Sequence, residues 1–280
     1  MNQLANNIHL AGRTLVIEGR NSLTLIDPGY DAASKGSIKG TSVEDIINFS
    51  NHSGKKIETI VISHAHGDHT ANLDFYKYLN PTVIAHGKSP LNDIGRRVTL
   101  DTAASLSGVN CHFLTTPGHS RASDDISVYF PQQKLVFTGD ICQPQGDAYN
   151  NATGVSPVTY FYDGNNYFKS LNKLLDLDAN TLVTGHSEVF RGPAAKNALL
   201  VTHHTTRRMK ELAQKLSEDH PAQDPDNLCE WIFDTIVHER NYDKARAAER
   251  KKTKMYRGLS YYQLYDTPGS LYFLKQCKSK

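Results

Sequence analysis

Within six residues, His64-Ala65-His66-Gly67-Asp68-His69 gathers four potential metal ligands, three imidazoles and one carboxylate. Packed together without a cation, such groups repel or desolvate one another, so the spacing itself argues for a bound metal. Three further groups follow, each directly after a glycine: His119 in Pro117-Gly118-His119, Asp140 in Thr138-Gly139-Asp140 and His186 in Thr184-Gly185-His186. A glycine there lets the backbone turn sharply and approach a site closely. Imidazole with carboxylate suits Zn, Fe, Mn or Ni, and the lack of a thiolate argues against a closed, Cys-rich structural zinc.

These ligands need elements to hold them. Short strands are expected over Ile8–Leu10, Thr14–Glu18 and Ser22–Ile26, the last running into Asp27-Pro28-Gly29. Ser42-x-x-Asp45, ahead of Val43, Ile46 and Ile47, reads as a helix start. The apolar run Ile57–Ser63 is a buried strand whose end opens into the histidine cluster. A short helix near Leu73–Leu79, a strand over Thr82–Ala85 and a helix opening at Ser89-Pro90 are expected next. Strands then follow at Cys111–Thr115, Ile126–Phe130 and Leu135–Thr138, and a long loop over 141–162. Asp163 caps an amphipathic helix, Thr181–Thr184 is a strand, and beyond Pro193 the pattern is helical, broken near Pro221–Pro225 and at Pro268-Gly269.

In this order the motifs resemble the metallo-β-lactamase superfamily, whose signature is HxHxDH, then a His, a bridging Asp or Cys, and a final His. The resemblance covers roughly Asn7 to Gly192. It implies an α/β fold, a four-layered αβ/βα sandwich, followed here by a helical C-terminal region. It also implies two divalent ions, Zn2+ first and Fe or Mn as alternatives. One would be held by His64, His66 and His119, the other by Asp68, His69 and His186, with Asp140 bridging. Asp27 would lie behind the ligands, accepting hydrogen bonds from the 64–69 loop. The implied chemistry is hydrolysis by a hydroxide shared between the ions, with Asp68 as the catalytic residue that orients it.

Asp140 stands where one β-lactamase subclass carries Cys, and His66 where flavodiiron proteins carry Glu. The pattern is similar to the glyoxalase II group with its thioesterases and lactonases, so the expected substrate is a small molecule with a thioester or lactone carbonyl. Two other readings stay open. A persulfide dioxygenase would hold one iron through His64, His119 and Asp140, and a sensor would keep metal without turnover.

Tyr149, Tyr160, Phe161 and Tyr162 crowd the long loop after Asp140. They either contact substrate, with a tyrosine hydroxyl available to an oxyanion, or pack beneath the loop. Arg121 is a candidate for binding an anionic group. Cys142 reads as an inert buried thiol, and His203-His204 as solvent or core positions. Lys244–Arg257 carries seven basic residues against Glu249 and reads as a solvated helix face.

The chain has 280 residues, 39% hydrophobic, with a net charge of +2. That composition excludes general disorder, and no apolar run is long enough for a membrane span. Four separated cysteines and no secretory pattern point to a reducing cytoplasm. Residues 1–200 carry 16 basic and 18 acidic side chains and 201–280 carry 15 and 11, so the tail differs in character. We expect a catalytic core over 1–200 and a helical subdomain over 201–280, serving as substrate lid or homodimer surface. Neither a nucleic-acid nor a membrane partner is expected.

Overall fold

Thirteen strands in two sheets organise the described part of the chain. The computed structural model describes residues 1–30, 40–145 and 156–278. These form two compact units, residues 1–141 with 176–196 and residues 142–175 with 197–280. The helical unit thus contains 142–175 in addition to the C-terminal residues. Tyr149 lies outside the described residues.

The first unit holds both sheets. One runs in chain order through β1 (Asn2–Ala5), β2 (Ile8–Ala11), β3 (Thr14–Glu18), β4 (Ser22–Ile26), β5 (Lys56–Val61), β6 (Thr82–His86) and β7 (Arg96–Val98). Its first four strands are antiparallel, and from β4 onward the neighbours are parallel. The other has the order β13 (Val189–Arg191), β12 (Thr181–Val183), β11 (Leu135–Phe137), β10 (Ile126–Phe130), β9 (Val109–Thr115) and β8 (Thr102–Leu106). In it only β11 and β12 are parallel.

Side-chain alternation explains how the sheets pack. Val61 and Ile84 point into a core shared with Phe113, Val128 and Phe137 of the second sheet. Their neighbours Ile60, Ile62, Val83 and Ala85 point the other way, onto Ile46 and Ile47 of α1 (Val43–Ser53). Ser42 begins α1 by accepting from Asp45 N at 3.1 Å. Gly54 ends it in the left-handed conformation at φ +67°, which a side chain would strain. The expected α/β sandwich is present, with strands close to their expected positions.

Several expectations fail locally. No helix opens at Ser89-Pro90. Leu91 and Ile94 pack on the α1 cluster, but Asp93 adopts φ +59° and Gly95 follows, so the chain turns before a helical turn can close and enters β7. β1, β7, β8 and β13 were not foreseen. β1, β7 and β13 are three or four residues long, too short to show a period, and β8, Thr-Ala-Ala-Ser-Leu, has a single bulky apolar residue.

The second unit comprises α4 (Gly164–Leu175), α5 (Pro193–Asp219, from Asn197 on), α6 (Pro225–Glu239), α7 (Lys244–Lys252) and α8 (Pro268–Lys278). The described ends of the long loop are fastened within it. Gln143 N donates to Thr202 Oγ1 at 2.9 Å, and Thr159 and Thr206 hydroxyls lie 3.0 Å apart. Pro268 does not break a helix but starts α8, where its missing N–H is harmless; the irregular turn is Tyr262–Asp266.

The basic segment is not simply solvated. Arg250 is fully buried and donates to Asp266 at 2.7 and 2.8 Å, while Lys251 pairs with Glu230 and Asp234 at 2.7 Å. All four cysteines are free, three of them buried. Among the described residues no helix is long and apolar enough to cross a membrane.

Candidate metal centre

The ends of β4, β5, β9, β11 and β12 deliver the residues singled out by motif. β5 continues in extended form through Ile62, whose N–H donates to Ile84 O at 2.8 Å, and the chain then turns at His64. His66 sits at the head of the single turn α2 (Gly67–Thr70), so Asp68 and His69 leave one short helical turn together. A second short turn, α3 (Leu73–Tyr76), follows and buries Tyr76.

Two groups of donors meet there: His64, His66, His119 and Asp140, and Asp68, His69 and His186, each with its ligand atoms within 4.8 Å of one another. His66 Nδ1 is 2.9 Å from His64 Nε2 and 3.2 Å from His119 Nε2. Asp140 Oδ2 lies between the groups, 3.0 Å from His186 Nε2, 3.2 Å from His69 Nε2, 3.6 Å from His119 Nε2 and 3.8 Å from His64 Nε2. Asp68 Oδ2 stands 3.7 Å from His69 Nε2 and 3.8 Å from His186 Nε2.

Asp27 holds the loop from behind. It has φ +50° at the end of β4, accepts from Ser63 N at 2.7 Å and Ser63 Oγ at 2.6 Å, and lies 2.7 Å from His69 Nδ1. Two residues that sequence reasoning missed act from the other side. Asp124 Oδ2 accepts from Ala65 N at 3.0 Å, and Ser120 Oγ donates to Asp124 Oδ1 at 2.6 Å. Asp125 accepts from Gly118 N and Ser120 N, yet burial, against the pull of His119, pushes its carboxyl up to about 6. Asp124-Asp125 directly precede β10, a signal for close packing but not for this contact.

The third missed residue is Arg13, in the turn between β2 and β3. Its Nη1 donates to Asp68 Oδ2 at 2.8 Å and its Nη2 to His186 Nδ1 at 2.9 Å. Nothing in its local sequence marks it, because its partners are 55 and 173 residues away.

The charge states of His64 and His66 fit a cation. Burial, with His69 and His66 nearby, keeps His64 well below the ordinary imidazole value, and burial with His119 lowers His66 to about 4. Both are neutral at pH 7, with nitrogens converging on one point, which is what a metal requires of histidine. Burial opposes charge on His69, but Asp140, Asp68 and Asp27 outweigh it and raise its pKa well above the usual value. Burial also opposes ionisation of both carboxylates. His186 and His69 at Asp140, and those two with Arg13 at Asp68, nevertheless hold them below the usual range.

Arg121 is exposed at the surface of the first unit. Tyr160 and Tyr162 belong to the second unit, where their hydroxyls lie 2.8 Å apart and the Tyr160 ring meets Tyr265 edge-on. Cys142 is buried with its Sγ 3.8 Å from Thr202 Oγ1.

Comparison with known proteins agrees with the geometry. A relative from Caenorhabditis elegans, a beta-lactamase-like protein 2 homolog, is 26% identical over 172 residues, 58% of this chain and 52% of its own length. A hydroxyacylglutathione hydrolase from Idiomarina loihiensis is 26% identical over 122 residues, 43% of this chain and 42% of the relative. The chain therefore spans about half the length of these curated relatives. A metallo-beta-lactamase family protein from Thermus thermophilus has the same fold, with a TM-score of 0.61 at 15% identity over 94% of this chain and 88% of that one. The family model described as metallo-beta-lactamase superfamily matches residues 9–186, the segment that contains every candidate ligand above, and the chain belongs to that superfamily.

Proposed function

We propose that the protein is a dinuclear metal-dependent hydrolase that cleaves a carbonyl ester-type bond, a thioester or a lactone. The observation that carries this reading is Asp140 Oδ2, a single oxygen facing His64 and His119 on one side and His69 and His186 on the other. The similarity to hydroxyacylglutathione hydrolase favours a thioester among the carbonyl substrates.

His64, His66 and His119 would hold one ion, Asp68, His69 and His186 the other, and Asp140 both. When bound, two such ions supply a nucleophilic hydroxide at neutral pH and polarise the carbonyl oxygen. Asp68 is ionised, and its side chain is 35% exposed against 3% for Asp140, so of the two carboxylates it is the one that solvent reaches. It can accept a hydrogen bond from an incoming water and orient it. Asp27 and Asp124 fix the loop that carries Asp68, which keeps this acceptor in one place. We place the choice of acyl group in the second unit, as a substrate lid or homodimer surface, since all seven ligands belong to the first.

The test is metal analysis of the purified protein with a panel of thioesters, lactones, β-lactams and phosphodiesters. Two Zn or Mn per chain with thioester or lactone turnover, both lost in Asp140→Ala, is the expected result. A single Fe with oxygen consumption would replace this reading by a dioxygenase. Bound metal with no turnover on any substrate would replace it by a sensor.

A further inference from the structure

Arg13 sits where it opposes half of the centre. A guanidinium has five N–H donors and no acceptor, so wherever it meets a histidine nitrogen that nitrogen must accept. Its Nη2 is 2.9 Å from His186 Nδ1, which fixes the proton of a neutral His186 on Nε2. Nε2 is the atom turned toward Asp140 Oδ2 at 3.0 Å, and it is the atom a metal would need free. The usual partner behind a metal-binding histidine is the reverse, an acceptor such as a carboxylate that leaves the inner nitrogen unprotonated. His69 has that arrangement with Asp27.

Asp68 is engaged in the same way. Its Oδ2, the oxygen that faces His69 and His186, accepts from Arg13 Nη1 at 2.8 Å. Arg13 cannot readily swing aside: its side chain is 7% exposed, its guanidinium lies over the Tyr30 ring at 5.2 Å, and its backbone N–H donates to Thr41 Oγ1 at 3.0 Å. In the other half, His64 meets the hydroxyl of Ser63 and His66 meets the rings of His64 and His119.

We infer that Arg13 makes the two halves of the centre unequal, competing with a cation for Asp68 and His186 so that the His64–His66–His119 half fills tightly and the other half weakly. The inference rests on the two-ion reading above. Arg13 is a positioning residue in this scheme: with one ion bound it balances the charge of Asp68 and holds that carboxylate in place. The second ion then becomes the exchangeable one, and occupancy depends on how much metal is available.

Metal-free full-length protein titrated with Zn2+ by calorimetry, and with Co2+ by its visible spectrum, tests this in the wild type, Arg13→Met and Arg13→Lys. The wild type should bind two ions in separate steps about 10–100-fold apart. Arg13→Met should tighten the second step by about tenfold or more and leave the first within about threefold, while Arg13→Lys, which keeps the charge but loses the fork that reaches both partners, should fall between the two. Asp68→Ala should remove the weak step alone, which assigns it. One ion in the wild type and two in Arg13→Met support the inference equally. Equal steps in the wild type, an unchanged second step in Arg13→Met, or a weaker one, overturn it and leave the two-ion reading standing. Absence of any binding overturns the two-ion reading itself. If circular dichroism shows Arg13→Met unfolded, Arg13→Gln is judged by the same criteria.

Discussion

Asp27 combines a left-handed backbone with contacts to Ser63 N, Ser63 Oγ and His69 Nδ1, so one carboxylate fixes both the loop and the face of a ligand. Asp27→Asn keeps the shape but weakens the acceptor, and metal affinity measured by chelator competition should fall about 10–100-fold. Acidity should separate the two halves as well. Burial holds His64 and His66 below the ordinary imidazole value, so at neutral pH protons do not compete with metal for them. His69 is held above the ordinary imidazole value by Asp140, Asp68 and Asp27 and must release its proton, so Co2+ affinity of its half should rise as pH is raised through neutrality, up to about tenfold per pH unit. In metal-free protein the sign is opposite: stability contributed by His69 is complete below the ordinary imidazole value and lost as pH passes its raised one. The histidine cluster was legible because its four ligands are adjacent in sequence. Arg13 was not, because only the fold brings it to Asp68 and His186.

At the scale of elements, glycine after β12 shows why the last ligand motif has its form. A Cβ on Gly185 would press on Asp140 Oδ1 and His69 Cε1, while its N–H donates to Gly139 O at 2.8 Å. Gly185→Ala should therefore lower bound metal, read by elemental analysis, with little change in helical content. Apolar runs revealed β3, β4 and β10, and helical spacing revealed α4. Short edge pieces such as β7 and β13 are held by their neighbours in the sheet and carry no such signal. In the second unit, α7 presented seven basic residues in and just beyond it, yet Arg250 is buried against Asp266. Asp266→Ala breaks this buried ion pair and should cost about 3–5 kcal/mol in chemical denaturation. Tyr261 is also buried, so truncating it would report on packing rather than on substrate.

For the whole molecule, composition and ligand order were enough to expect a metal-bearing α/β sandwich with a helical appendage. They could not show that the appendage is built from two stretches of chain, because a contact-defined unit leaves no mark on composition. Residues 142–175 belong with 197–280, while 176–196 return to the first unit and supply His186. This connectivity sets an order of events on the ribosome. Asp140 is made before the excursion and His186 after it, so the metal centre is incomplete until residue 186 has emerged. By then apolar side chains of 142–175, Phe161 and Phe168 among them, are waiting for ring partners in helices not yet synthesised. A chain stopped at residue 196 would hold all seven ligands and still expose that surface, so we expect it to appear in the insoluble fraction when expressed. Co-expression with 197–280 as a separate polypeptide should return it to solution, and recovery of the 1–196 piece alone as a soluble, metal-loaded protein would refute this order.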